Sequence, residues 1–276
     1  MIKKSTILLF LFLLNHFYSQ NYRALYKFDY KRDSSSTNYT TMNMVLDLQK
    51  QYTKFYFQKQ LKFDSLIKIN KRVAFSIPLQ QIIKRNSGSF ANENFVNVDD
   101  RYYTFSSSDE MKWKISDSIK NYNIYKLQKA ETNWGGRKWI AWFSTEIPIA
   151  EGPYKFRGLP GLIMQLLDTR NNFSYNLISF KKLDSEFDTH NVVETNLGDD
   201  AIKINLSKYQ KLLLNVYGNP FSEFENMKNQ DWQLEIYDKK IKTIEGLNEI
   251  KSQYQLDIKR YYNPIELDRA VKYPKK

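Results

Sequence analysis

The 276-residue chain contains no cysteine. That absence excludes disulfides, thiol nucleophiles and thiolate-bound metals, and it removes the residue that a lipoprotein anchor requires. Histidine is nearly missing as well: of the two present, His16 lies in the N-terminal apolar segment and His190 stands alone beyond it. Zinc sites built from several His or Cys are therefore excluded. A Ser/His/Asp triad would have to use His190, yet no GxSxG elbow occurs, and "FDTHNVVET" reads as an exposed loop. Long apolar runs are lacking too. The strongest, Ile7 to Leu14, has eight residues, whereas a membrane-spanning helix needs roughly 20. No membrane-spanning segment is expected in the mature chain.

That short run is informative in another way. Lys3 and Lys4 precede it, and a polar segment ending in Ser19 and Gln20 follows. Basic start, apolar core and small-residue exit form the pattern of an export signal. The expected organisation is a signal peptide over 1–20 and one domain over 21–276, delivered to the periplasm or the exterior. The chain carries a net charge of +12; with Lys3 and Lys4 removed, 40 basic residues face 30 acidic ones, or +10. Such a surface favours anionic partners. The charges are scattered among acids and aromatics with no dense basic tract, so nucleic acid is not expected as a partner.

Tyr (20), Phe (18) and Trp (5) are abundant, a composition suited to sheet faces. In "YRALYKFDY", Tyr22, Ala24, Tyr26, Phe28 and Tyr30 alternate with more polar residues, the period of a strand with one buried face. "TMNMVLDL" (Thr41 to Leu48) and "TKFYFQ" (Thr53 to Gln58) read as a hairpin. Further strands are expected at Arg101 to Phe105, Met111 to Ile115 and Tyr122 to Gln128. After about residue 200 the pattern becomes helical. Ser207 is placed to cap a helix carrying Tyr209, Leu212, Leu213 and Val216 on one face, with Gly218 and Pro220 as its stop. A second helix carries Leu247, Ile250, Tyr254 and Ile258 and ends at Asn263-Pro264. These elements predict an α+β fold, a curved, mainly antiparallel sheet with C-terminal helices.

Residues 134–161 hold five of the nine glycines, three of the seven prolines and three of the five tryptophans. Gly135-Gly136, between two strand-like runs, supplies the positive φ values of a tight hairpin. In Gly158-Leu159-Pro160-Gly161-Leu162-Ile163, Pro160 suits the first central position of a type II turn and Gly161 the second, where φ must be positive. The turn delivers "LIMQLLD", apolar on both faces and ending at Asp168, as in a centrally buried strand. A phosphate cradle would need a Gly-rich turn opening a helix, which is not the pattern here.

Gly158 to Ile163 spell the name motif of the GLPGLI family of exported Bacteroidetes proteins, which this chain resembles. The likeness covers "QKAETNWGGRKWIAWFSTEIPIAEGPYKFRGLPGLIMQLLD", with Gly152, Pro153 and Phe156 in pattern, and "NPIELD" (Asn263 to Asp268) is similar to the family's closing signature. The resemblance implies export and association with outer-membrane TonB-dependent receptors or other envelope proteins; a curved sheet like that of the periplasmic lipoprotein carriers is expected by analogy. It implies no reaction, no catalytic residue and no cofactor.

Carboxylates that could support hydrolysis flank the central block at Glu146, Glu151 and Asp168, although that chemistry needs a particular separation. Asp99-Asp100 and Asp199-Asp200 lack calcium-loop spacing and read as solvated turns. Asp64-Ser65-Leu66 and Asp117-Ser118-Ile119 resemble acceptor sites for O-glycosylation at Ser65 and Ser118. The leading expectation is an exported, non-catalytic binding or carrier protein for an apolar or anionic ligand, with an apolar cleft beside the Gly158 to Asp168 strand. The alternatives are an envelope interaction module and a carboxylate-dependent hydrolase. N-terminal sequencing of the protein recovered from a periplasmic fraction should begin at Gln20 or Asn21; a retained Met1 would contradict the export reading.

Overall fold

The computed structural model describes residues 21–61, 80–99, 101–186, 188–196, 198–225, 227 and 231–274. The expected signal peptide and Ser65 lie outside them, as does Asp100. Among these described residues sixteen strands follow in chain order. They are β1 (Asn21–Tyr30), β2 (Thr40–Leu48), β3 (Tyr52–Phe57), β4 (Ile82–Asn86), β5 (Ala91–Val98), β6 (Arg101–Ser108), β7 (Lys114–Tyr122) and β8 (Tyr125–Trp134). Then come β9 (Arg137–Ser144), β10 (Leu162–Asp168), β11 (Phe173–Leu183), β12 (Thr195–Asn196), β13 (Asp199–Asp200), β14 (Ile202–Lys203), β15 (Leu234–Ile236) and β16 (Lys239–Ile241). Three α-helices, α1 (Leu206–Gly218), α2 (Ser222–Glu225) and α3 (Ile244–Arg260), occupy the C-terminal quarter. The fold is the expected α+β arrangement, mainly β with C-terminal helices.

Twelve strands form one sheet in the order β14-β6-β5-β4-β3-β2-β1-β11-β10-β9-β8-β7, open at both ends rather than closed into a barrel. Every pairing is antiparallel except the short β14 against β6. At its centre β1 pairs along nearly its whole length with β2 on one side and β11 on the other. Its alternation is carried through: Tyr22, Ala24, Tyr26, Phe28 and Tyr30 are buried. Phe28 stacks on Tyr175 of β11 with centroids 4.3 Å apart. The expected hairpin is β2–β3. Gly135 (φ +61°) and Gly136 (φ +71°) form the tight turn of β8–β9, where Trp134 faces Arg137.

The segment 145–161 folds back over the sheet. Phe156, fully buried, packs against Trp139 and Trp134 at 4.6 and 4.9 Å. This one ring fixes the loop to β9 by apolar contact. The loop then feeds β10, which is buried on both faces except at half-buried Gln165 and Leu167.

Five local expectations are corrected. Met111 to Ile115 is not a strand: Met111–Trp113 are irregular and β7 begins only at Lys114. Gly161 does not have a positive φ; Gly158 does, at +96°. Position 161 requires glycine because a Cβ there would sit 2.1 Å from the Ser144 carbonyl oxygen, inside van der Waals contact with the backbone. Tyr122 to Gln128 is not one strand. Asn123, at φ +53°, turns the chain between β7 and β8, a conformation asparagine accepts more readily than most residues. The cap of α1 is Asn205, whose side chain accepts from the Lys208 amide, two residues ahead of Ser207. The earlier start brings Leu206 onto the face that packs on β5 and β6. Finally, His190 is exposed, but the segment around it is not an exposed loop: His190–Glu194 forms a π-helical turn, with Thr189 and Val193 fully buried.

The helices dock in two places. α1 lays Tyr209, Leu212, Leu213 and Val216 on Val96, Val98, Tyr103 and Phe105. α3, capped by Thr243, packs Leu247 and Ile250 with Phe221 and Ile241 of the β15–β16 region.

The close approach at Gly161 makes a discriminating prediction. Gly161→Ala should lower stability by about 3 kcal/mol through overpacking against rigid backbone. Gly88→Ala, at a positive φ with open space around its Cβ, should lose only about 1 kcal/mol. Denaturant midpoints that rank the two the other way would contradict the steric assignment.

Candidate functional site

The loop that carries Gly152 to Gly161 is held by charge as well as by Phe156. Glu151 is buried between Arg85 of β4 and Arg157. Arg85 also donates to the Tyr154 carbonyl at 2.8 Å, and Arg157 to the Gly88 carbonyl at 2.8 Å. Tyr26 of β1 donates to the Ile163 carbonyl at 2.7 Å, tying the start of β10 to the sheet centre. Within this loop Gly152, Pro153, Leu159, Leu162 and Ile163 are buried, while Gly158 and Pro160 are exposed.

A second cluster joins the loop to the C-terminal run. Lys155, almost completely buried, pairs with Glu266 at 2.7 Å and Asp109 at 3.3 Å. Arg269 reaches the same two carboxylates at 2.6 and 2.8 Å, and Tyr154 donates to Glu266 at 2.8 Å. Two cations thus meet two anions. Burial works against the Asp109 carboxylate, yet Lys155, Ser107, Arg269 and Asn92 outweigh it, and its pKa lies below the ordinary carboxylate value.

Asp168 stands apart from the rest of its motif, at the far end of β10. It accepts from the amides of Asn172 and Phe173 at 2.6 and 2.8 Å and from Arg137 at 3.3 Å. Arg137 in turn donates to Asn263 Oδ1 and to the carbonyls of Pro264 and Ile265. The Leu267 amide donates to the Gly135 carbonyl at 2.7 Å, completing the dock of Asn263–Asp268 on the β8–β9 turn.

This docking borders a half-open pocket of about 290 Å³. It lies beside the packed seam of Val96 and Phe105 with Tyr209 and Leu213 of α1, and Tyr262 and Pro264 of the closing run also line it. In the wall, Gln81 is almost fully buried; its Oε1 accepts from Tyr175 at 2.6 Å, and its Nε2 has no acceptor. Next to the Gly152 to Gly161 loop, the space lined by Glu151 and Arg157 is about 50 Å³, room for a few waters; Leu167 of β10 borders an open groove of about 420 Å³ shared with Lys27, Asp29 and Phe173.

The three flanking carboxylates do not form a catalytic pair. Glu146 is exposed and accepts from the Lys126 amide. The Glu151 carbonyl bonds the Ile163 amide at one end of β10 and Asp168 ends the strand, so the two attach five positions apart, roughly 16 Å of strand. Glycoside hydrolysis needs carboxyls within about 10 Å. Asp99 and Asp199-Asp200 are exposed turn or hairpin residues, and Ser118 is exposed on β7, at one edge of the sheet. Among the described residues no group of three or more His, Asp or Glu could hold a metal ion. Of the residues around the cavity, Tyr30, Phe105, Tyr209 and Leu213 were legible only as strand or helix faces and "NPIELD" only as a signature; that they meet around one space had no local signal.

A family model described as "Protein of unknown function (Porph_ging)" matches residues 102–165, from β6 into β10, a span that includes Gly158 to Ile163. No curated protein matches the chain. A solved structure titled "Structure of PNGF-II in C2 space group" is similar at a TM-score of 0.49 and 14% identity, covering 70% of this chain and 32% of that one. The same protein in a P21 space group gives 0.47 and 15%, covering 70% and 33%. The chain therefore spans about a third of the length of these solved chains.

Because the folded pKa of Asp109 is depressed, its contribution to stability is complete above the unfolded value near ~3.9 and is lost as pH falls through the folded value. Melting temperatures measured from pH 7 down to pH 2 should drop below about pH 4. Asp109→Asn should be less stable at pH 7 and flatter in the acid limb. An acid limb identical to the parent's would show that Asp109 does not carry this dependence.

Proposed function

We propose that this is an exported, non-catalytic binding or carrier protein that holds a small ligand between its sheet and the C-terminal run. The observation that carries the reading is the cavity of about 290 Å³ bounded by α1, β5, β6 and Asn263–Glu266, close to the size at which small ligands are held. Its rim is fixed by buried ion pairs, so the space is pre-organised rather than created by collapse on a ligand. The carboxylates that a hydrolase would use, Glu151 and Asp168, are occupied by Arg85, Arg157 and Arg137.

A second reading, docking to an envelope partner such as an outer-membrane receptor, is favoured by one feature. β7 ends the sheet with its outer edge unpaired among the described residues. Ile115 and Ile119 are 44% and 52% exposed there, and Ile124 in the adjoining turn is 85% exposed. An apolar unpaired edge accepts a strand from another chain.

Protein purified from its own cell envelope, extracted with organic solvent and examined by mass spectrometry, should release a stoichiometric small molecule. Leu213→Trp, which fills the cavity, should retain the fold by melting and release none. Equal release from both proteins would remove the cavity as the site, and cross-linking through β7 with nothing released would favour the docking reading.

A further inference from the structure

The walls of the cavity differ in kind, and the difference selects a ligand. Val96, Phe105, Leu206 and Leu213 offer hydrocarbon. Four charged residues line the same space: Lys31, Arg32, Glu266 and Arg269. Glu266 and Arg269 are committed to each other and to Lys155 and Asp109, in the balanced cluster described above. Lys31 and Arg32 make no ion pair with a carboxylate among the described residues. Their side chains lie over aromatic rings instead: Arg32 at 5.0 Å from the centroid of Tyr261, which lines the cavity, and Lys31 at 5.3 Å from that of Tyr39, which lies outside it. The nearest acid in sequence, Asp33, is paired with Arg260 at 3.2 Å. Two cations of the lining are thus left without a carboxylate partner among the described residues, in a space that hydrocarbon and neutral polar side chains share.

The Gln81 amide points to the same ligand chemistry. Tyr175 donates to its Oε1, which leaves Nε2 as a buried donor without an acceptor. A buried donor in that state carries a real desolvation penalty, relieved when a ligand brings an oxygen to it. The cavity therefore combines apolar walls, an unmet hydrogen-bond donor and uncompensated positive charge.

We propose that the ligand is an amphipathic anion, its hydrocarbon body along the apolar seam where α1 meets β5 and β6 and its oxygen-bearing acidic head toward Lys31 and Arg32. The inference rests on the ligand-binding reading and sharpens it from an apolar to an anionic amphiphile. Arg32 is exposed and Lys31 half-buried, so the head group keeps part of its hydration while the body is withdrawn from water. That geometry lets binding gain from apolar burial without the full cost of burying a charge.

Calorimetric titration of the full chain with three probes of one chain length tests this: dodecanoate, dodecanol and dodecyltrimethylammonium. Dodecanoate should bind one to one, and the alcohol and the cation more weakly by at least threefold. Arg32→Gln should weaken dodecanoate by about three- to tenfold, the range of one partly exposed charge interaction, and leave dodecanol unchanged. Leu213→Trp should abolish binding of all three. Equal affinity for anion and cation, or an Arg32→Gln variant with unaltered preference, overturns the anionic assignment while leaving the cavity as a binding site. Absence of binding by every probe also overturns it, and the ligand-binding reading then stands or falls on the molecule released from the native protein.

Discussion

One buried interaction ties the closing run of this molecule to its sheet. Arg137 and Asp168 meet at 3.3 Å with side chains only 3% and 1% exposed. A buried pair gains little on its own, because desolvation offsets attraction. This one is completed on all sides. Asp168 also takes two backbone amides of the turn after β10, and Arg137 takes three oxygens of Asn263–Ile265 while its guanidinium lies 4.7 Å from the centroid of the Phe173 ring. Three segments far apart in sequence, the starts of β9 and β11 with their turns and the closing run, are thus held by a single charge pair. Loss of either partner would strand the other in a dry interior, a cost on the order of 3–5 kcal/mol.

The second polar cluster extends the same logic toward the cavity. Lys155 comes from the loop, Asp109 from the end of the β6 region, and Glu266 and Arg269 from the closing run. Each charge has a partner of opposite sign, so the cluster fixes geometry without leaving a field of its own. Against that neutral background the charges of Lys31 and Arg32 stand out. The aromatic faces beneath them supply attraction and packing but not a negative charge.

Much of this fold could be read locally. The strict alternation of Tyr22 to Tyr30, the Gly135-Gly136 turn and the two-faced apolar run of β10 each declare their element by period or by backbone demand. The apolar stripes of α1 and α3 did the same for the helices. What could not be read depends on contacts across the chain. Gly161 is required by the Ser144 carbonyl on β9, a constraint invisible in the Leu-Pro-Gly-Leu pattern, which by itself describes a positive-φ turn. Asn123 hid a hairpin inside an aromatic run because its side chain tolerates a conformation that most residues avoid. Asp168 was singled out with its motif but works with Arg137, and the cavity is formed by residues from Tyr30 to Tyr273 that share no local signature.

Together these features describe a sheet whose C-terminal run is locked down by buried charge, leaving a small, one-sidedly cationic cavity beneath α1. The central claim is that this cavity is ligand space and not a packing gap. Hydrogen–deuterium exchange of the full chain, with and without dodecanoate, tests it most directly. The account predicts slower exchange in α1 and in residues 261–273 when the amphiphile is present, with the β7 edge unchanged. Unaltered exchange in both regions, or protection confined to β7, would contradict it.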